Sequence, residues 1–147
     1  MNQPIVFCDS FSVALGKGPD MADITAELQR VLAASGVDQG VLSAFVTGST
    51  GSLTSIEYEP GVVADLRRAI ERLAPPDAVY EHEKAWHDGN GHSHVQAALM
   101  GPSISLPVRG GRLHLGTWQQ VIVVNHDARA RRRSVEVTIW GTTNQSP

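Results

Sequence analysis

Residues 103–140 read SISLPVRGGRLHLGTWQQVIVVNHDARARRRSVEVTIW, and this stretch decides the fold class. Ser103 to Val108 is a run of strand length, and Arg109-Gly110-Gly111-Arg112 has the composition of a hairpin turn. Leu113 to Leu115 resumes beyond it and leads into a further strand, Trp118 to Asn125. After a turn at His126–Arg129, Val135, Val137 and Ile139 alternate with polar neighbours in a last strand, Ser134 to Trp140.

Upstream, the pattern repeats with helices added. Val41 to Thr47 is a strongly apolar strand, Gly48 to Ser52 is a turn, and Leu53 to Tyr58 is a second strand that Pro60-Gly61 breaks. Val62, Val63, Leu66, Ile70 and Leu73 recur at helical spacing, which predicts an amphipathic helix over 62–73. Before these come one strand or two over Ile5 to Leu15, then a helix that Asp23 or Thr25 can cap and Gly36 can end. Strand pairs with two main helices between them predict an α+β domain, with a mostly antiparallel core, spanning residues 1–147.

Composition sets the outer limits. A net charge of −3 leaves no basic footprint for nucleic acid, and no stretch approaches a membrane span. One cysteine, Cys8, excludes an internal disulfide and fits a reducing cytoplasm. It lies in an apolar stretch, which predicts a buried, inert thiol. Arg129, Arg131, Arg132 and Arg133 form the one basic run. A solvated turn and a clamp for phosphate or carboxylate are both open readings of it.

Residues 75–94 show no period and read as a loop after Pro75-Pro76. Loops of that length are usually functional or disordered, and this one carries Tyr80, Trp86, His82, His87, Asp88, His92 and His94. Neutral imidazole is the commonest protein metal ligand. His92 and His94 are two residues apart, so on extended backbone both would point to one face and share a metal or a phosphate. Their spacing matches no specific zinc signature. Glu57, at a strand end, can serve as a base or ligand, and can equally be a solvated charge. Gly116 lets a ligand or backbone approach beside Trp118-Gln119, whose aromatic member can otherwise be core.

Taken in order, Tyr80-Glu81-His82, Asp88-Gly89-Asn90-Gly91-His92-Ser93-His94, Gly101-Pro102-Ser103, Pro107-Val108 and Gly111-Arg112-Leu113-His114-Leu115-Gly116-Thr117-Trp118-Gln119 resemble the YjbQ-like family, the secondary thiamine-phosphate synthase family. The resemblance implies a β-sandwich-like core flanked by helices, a homotrimer, and a site near a subunit boundary. It also implies a metal or anion site in which His82 and His94 join a third histidine. This chain departs there: Gly48 stands at the place of that histidine and Ile56 at the place of an asparagine, while Glu57 keeps the glutamate. His92 or His114 are the imidazoles that could replace it.

Three functions compete. The resemblance implies a transferase joining a pyrimidine pyrophosphate to a thiazole phosphate. A divalent metal (zinc, magnesium or manganese) on His82 and His94 would neutralise the leaving pyrophosphate. Glu57 and Asp88 would be catalytic, and Asn90, His92, Gln119 and Arg131 would bind substrate. The alternatives are a non-catalytic protein that binds a small phosphorylated metabolite, and a metal-dependent hydrolase.

Overall fold

A computed structural model of the chain describes residues 3–144. The N-terminal half runs β1 (Gln3–Leu15), β2 (Asp20–Asp23), α1 (Thr25–Ser35), β3 (Gln39–Val46), β4 (Gly51–Ile56) and α2 (Pro60–Leu73). It continues with α3 (Glu81–Trp86), α4 (Gly91–Met100), β5 (Ser103–Arg109), β6 (Arg112–Leu113), β7 (Gln120–Asn125) and β8 (Arg131–Thr143). The class is α+β, as expected. The strands form two sheets, ordered β1-β8-β3-β5-β6 and β2-β7-β4, and every pairing is antiparallel.

The hairpin over 109–112 forms as read, with Val108 opposite Leu113 and Gly110 and Gly111 both at positive φ. Other strands that follow one another in sequence do not pair. β3 lies in the larger sheet and β4 in the smaller, and the same is true of β1 against β2 and β8 against β7. Three of the chain's switches between sheets are tight corners, at residues 16–19, 47–50 and 126–130.

Register brings these corners to one end of the molecule. Asn125, the last residue of β7, faces both Asp20 and Gly51, the first residues of its two neighbours. In the larger sheet Leu15 faces Arg131, and Val46 faces Val135. Irregular backbone in a buried place must find other hydrogen-bond partners. At this end Asn125 Nδ2 donates to the carbonyls of Gly16 (2.8 Å) and Arg129 (3.0 Å), and the His126 amide donates to Thr50 O (2.8 Å).

The core between the sheets holds Leu42, Ala44, Val46, Val121, Val123, Val135, Val137 and Ile139, with Leu28, Val31 and Leu32 of α1 packed on it. Helix α1 ends at Gly36, which takes the left-handed conformation (φ 71°). Helix α2 begins two residues earlier than its apolar spacing indicates. Pro60 is its first residue, and the Glu59 carboxylate accepts from the amides of Gly61 (2.7 Å) and Val62 (2.9 Å). The proline that ends β4 thus also starts the helix, where its missing N–H costs nothing.

Two expectations fail. Residues 75–94 are not one loop, because α3 and the start of α4 lie within them. The buried residues of α4 include His92, Ser93 and Gln96, so its inner face carries no apolar period to read. Cys8 is exposed, not buried, because Ile5, Phe7, Phe11 and Val13 take the core face of β1 and Cys8 falls on the other.

Candidate functional site

The polar end carries the histidines. Helix α3 supplies His82, the connection to α4 supplies Asp88, and the first turn of α4 supplies His94. Glu83 ties that connection down: its carboxylate accepts from the amides of Gly89 (2.7 Å) and Gly91 (2.8 Å). Those two amides, Gly91 first, hold the Glu83 carboxyl below its ordinary range.

The rings of His82 and His94 lie with centroids 4.5 Å apart, and His82 Nε2 stands 3.3 Å from Asp88 Oδ1. One ligand atom each from His82, Asp88 and His94 fall within 4.8 Å of one another. Metal–nitrogen bonds are about 2.0–2.1 Å, so a single ion placed among them reaches all three after small side-chain adjustments. Burial pushes the Asp88 carboxyl up, but the Asn90 amide and the neighbouring His82 outweigh it, and the group sits below its ordinary value. Asp88 is therefore ionised at neutral pH, as a ligand must be.

The third candidate ligand beside the two histidines is thus a carboxylate. His92 does not share the face of His94. Two residues on a helix turn about 200°, so the extended-backbone expectation fails and His92 points inward. It is buried beside Tyr80 (ring centroids 6.4 Å), and burial lowers its pKa. His114 sits in the β6–β7 connection beside the larger sheet, its amide bonded to Pro107 O.

Asn90 is buried, and its Oδ1 accepts from Ser93 Oγ (2.7 Å) and the Ala128 amide (2.9 Å), which fastens α4 to the third corner. A cleft of about 440 Å³ opens there, with His94, Asp88, Asn90, Asp127 and Arg131 among its walls. Arg131 Nε pairs with Asp127 Oδ2 at 3.1 Å. Burial raises the Asp127 carboxyl, and the Arg129 amide with the side chains of Asn90, Thr50 and Arg131 overcomes this and lowers it.

Glu57 and Gln119 are not part of this site within one chain. They line a separate groove with Ser55, Ile56, Gly116, Thr117 and Trp118 at the opposite end of the β4–β7 pair. Six residues of β4 separate the two places, about 17 Å at roughly 3.4 Å per residue. Gln119 Nε2 donates to Ser55 Oγ (3.0 Å), and Trp118 is 73% exposed. The expectation that Glu57 and Gln119 act at one site with Asp88 and the histidines is not met within one chain.

Sequence reading missed the polar layer beneath the site. His126 is fully buried; its Nδ1 lies 3.0 Å from Gln96 Oε1 and its Nε2 2.7 Å from Ser52 Oγ. Gln96 Nε2 donates to Ala74 O, which fixes the amide so that Oε1 accepts from Nδ1–H. Nε2 is then the acceptor, and burial pushes the His126 pKa down to about 4. The available signal was the polar triplet Asn125-His126-Asp127 directly after the apolar run Val121–Val124.

The family model described as "UPF0047 protein YjbQ-like" matches residues 9–142. A UPF0047 protein of Methanothermobacter thermautotrophicus is 32% identical over 136 residues, covering 92% of this chain and 93% of that one. The UPF0047 protein YjbQ of Salmonella typhimurium is 36% identical over 106 residues, 71% of this chain and 76% of its own. Among solved structures, a protein of unknown function from Sulfolobus solfataricus superposes with a TM-score of 0.90 at 29% identity, covering 95% of this chain and 99% of that one. A hypothetical protein from Aeropyrum pernix gives 0.86 at 31% identity, covering 92% and 98%.

Proposed function

Because the chain belongs to the UPF0047 YjbQ-like family, we propose that it is a metal-dependent enzyme acting on a small phosphorylated substrate at the His82–Asp88–His94 cluster. The observation that carries this reading is the convergence of those three ligand atoms within 4.8 Å. Two imidazoles and one carboxylate suit zinc or manganese better than magnesium, which prefers oxygen ligands. A bound ion would polarise a phosphoryl oxygen or a water molecule.

The protein's own groups supply the rest. Asp88, ionised and beside His82, would hold the cation. Arg131 lines the cleft where a phosphate would enter, and Asn90 keeps α4 and the third corner in register. The narrowest form of the proposal is condensation of a pyrimidine pyrophosphate with a thiazole phosphate, releasing pyrophosphate. Glu57 and Gln119 have no place in that step within one chain. The homotrimer belongs to the same proposal.

Metal analysis of the purified protein tests it. About one zinc or manganese per chain is expected in the wild type, with less than a tenth of that in His94→Ala. A wild type that neither carries nor takes up either metal refutes the reading. Pyrophosphate release from the two phosphorylated substrates then separates the transferase from a metabolite binder.

A further inference from the structure

Arg133 enters the sequence reading only as one member of the basic run, and it has no part in the proposed reaction. Its side chain lies across the 47–50 corner and is only 6% exposed. Nη2 is committed inward, to Asn125 Oδ1 (2.7 Å) and Thr50 Oγ1. Nε is buried and has no hydrogen-bond partner. Nη1 donates to no group among the described residues. It stands over Gly48, so close that a Cβ on that residue would lie 2.6 Å away. Gly48 has φ +105°, a conformation that side chains disfavour. Glycine at 48 therefore leaves the free edge of the guanidinium uncovered.

The setting has more positive charge than it needs for itself. Arg131, Arg132 and Arg133 all line the cleft that also contains Gly48, Ser49, Thr50 and His94. Asp88 and Asp127 are the carboxylates opposite them, and Asp127 already pairs with Arg131. Among the described residues no carboxylate lies within ion-pair distance of Arg133; Asp127 acts on it from further away and is already bonded to Arg131, which leaves a buried charge only partly compensated. A cation held by Asp88 would make the cleft more positive still.

The geometry points to a phosphoryl-binding seat on Arg133, between the Gly48–Thr50 turn and the histidine cluster, taking a multiply charged phosphate or pyrophosphate group. A guanidinium edge is the donor best matched to phosphate oxygens. The seat rests on the proposed function only for the idea that this anion is part of a substrate; Arg133 and Gly48 stand without it. In that arrangement the reacting phosphoryl group would lie beside the ion site, with Arg133 holding it from below. Gly48 is then the residue that admits the anion to Arg133.

Titration of inorganic pyrophosphate into chelator-treated, metal-free protein tests the seat apart from the metal. One-to-one binding that weakens with added salt is expected. Arg133→Lys keeps a charge but loses the fork, and should weaken binding at least tenfold, while Arg72→Lys, at an exposed position of α2 outside the cleft, stays within twofold. Equal affinity in wild type and a folded Arg133→Lys variant, or no binding by the wild type, overturns the proposal. If Arg133→Lys does not fold, amide spectra of the wild type decide. Saturable shifts centred on Gly48, Ser49 and Thr50 support the seat, and shifts centred elsewhere overturn it. A wild type that binds pyrophosphate through Arg133 yet takes up no metal refutes the metal reading and leaves the seat intact.

Discussion

The two ends of the β2-β7-β4 sheet are built from similar residue types and behave differently. At the corner end, Thr50, Ser52, Asn125, His126, Asp127 and Arg133 are all buried and bonded to one another or to backbone. At the groove end, Glu57, Trp118 and Gln119 are exposed, and the Gln119 side chain's bonds to Ser55 Oγ and the Gly116 amide lie open to solvent. A turn at a sheet's open end can take its hydrogen bonds from water. Three corners packed on one another cannot, so side chains must provide them. The same crowding that buries these groups aligns His82, Asp88 and His94 on a fixed support.

The contrast breaks first on metal affinity. Asp88→Ala should weaken zinc binding by about a hundredfold or more, because one of three ligands is gone, whereas Glu57→Ala should leave it unchanged. Competition titration against a chromophoric chelator measures both. A large loss in Glu57→Ala would mean that the two ends act together, across subunits of an oligomer.

Acid should weaken the corner end well before the carboxylates titrate. The His126 pKa is about 4 in the folded protein, against an ordinary value near 6.5. The folded state therefore favours the neutral ring. Its stabilisation is fully present above pH 6.5 and is lost as pH falls toward 4. The loss should reach about 2 kcal/mol by pH 5, at about 1.4 kcal/mol per unit. His92, also lowered, adds in the same direction. Urea unfolding at pH 7 and pH 5 should show this drop in wild type and a smaller one in His126→Gln; parallel curves would exclude it.

A smaller effect is expected at Gly48. Restoring a histidine there would complete a three-imidazole set if space allowed. Arg133 occupies that space and the backbone has φ +105°, so Gly48→His should cost about 1–3 kcal/mol in stability without tightening metal. Calorimetric titration of a folded variant checks it, and tighter zinc binding would show that Asp88 is a poor third ligand. The least effect belongs to the groove end: Gln119→Ala should change stability by less than about 0.5 kcal/mol, because its bonds are exposed. A larger loss by urea unfolding would show that this groove is covered in solution.

Much of the candidate site was legible one residue at a time. His82, Asp88 and His94 stand out in the sequence, and their meeting follows the expectation for the first and last. The pairing of His94 with His92 failed because α4 hides its period: its inward face is His92, Ser93 and Gln96 rather than aliphatic residues. Arg133 was read as one member of a basic run, although it lies in phase with Val135, Val137 and Ile139, which sets it on the inward face apart from Arg132. Its pairing partner is Val13 of β1, and the strand pattern does not indicate that its head reaches Thr50 and Asn125.

The sequence by itself determined the local elements whose cause is local. The alternation in Ser134–Trp140 made a strand, Gly110-Gly111 turned a hairpin, and Gly36 ended a helix, because dihedral preference and apolar period act over a few residues. Only the tertiary structure decided which strands share a sheet. β3 and β4, β1 and β2, and β7 and β8 are neighbours in the chain yet lie in different sheets. That choice depends on burying the faces of eight strands at once, and it placed the three corners together. Where they meet, backbone without a ladder partner recruits Asn125, Thr50 and Arg133, and the free edge of one guanidinium is left facing the cleft.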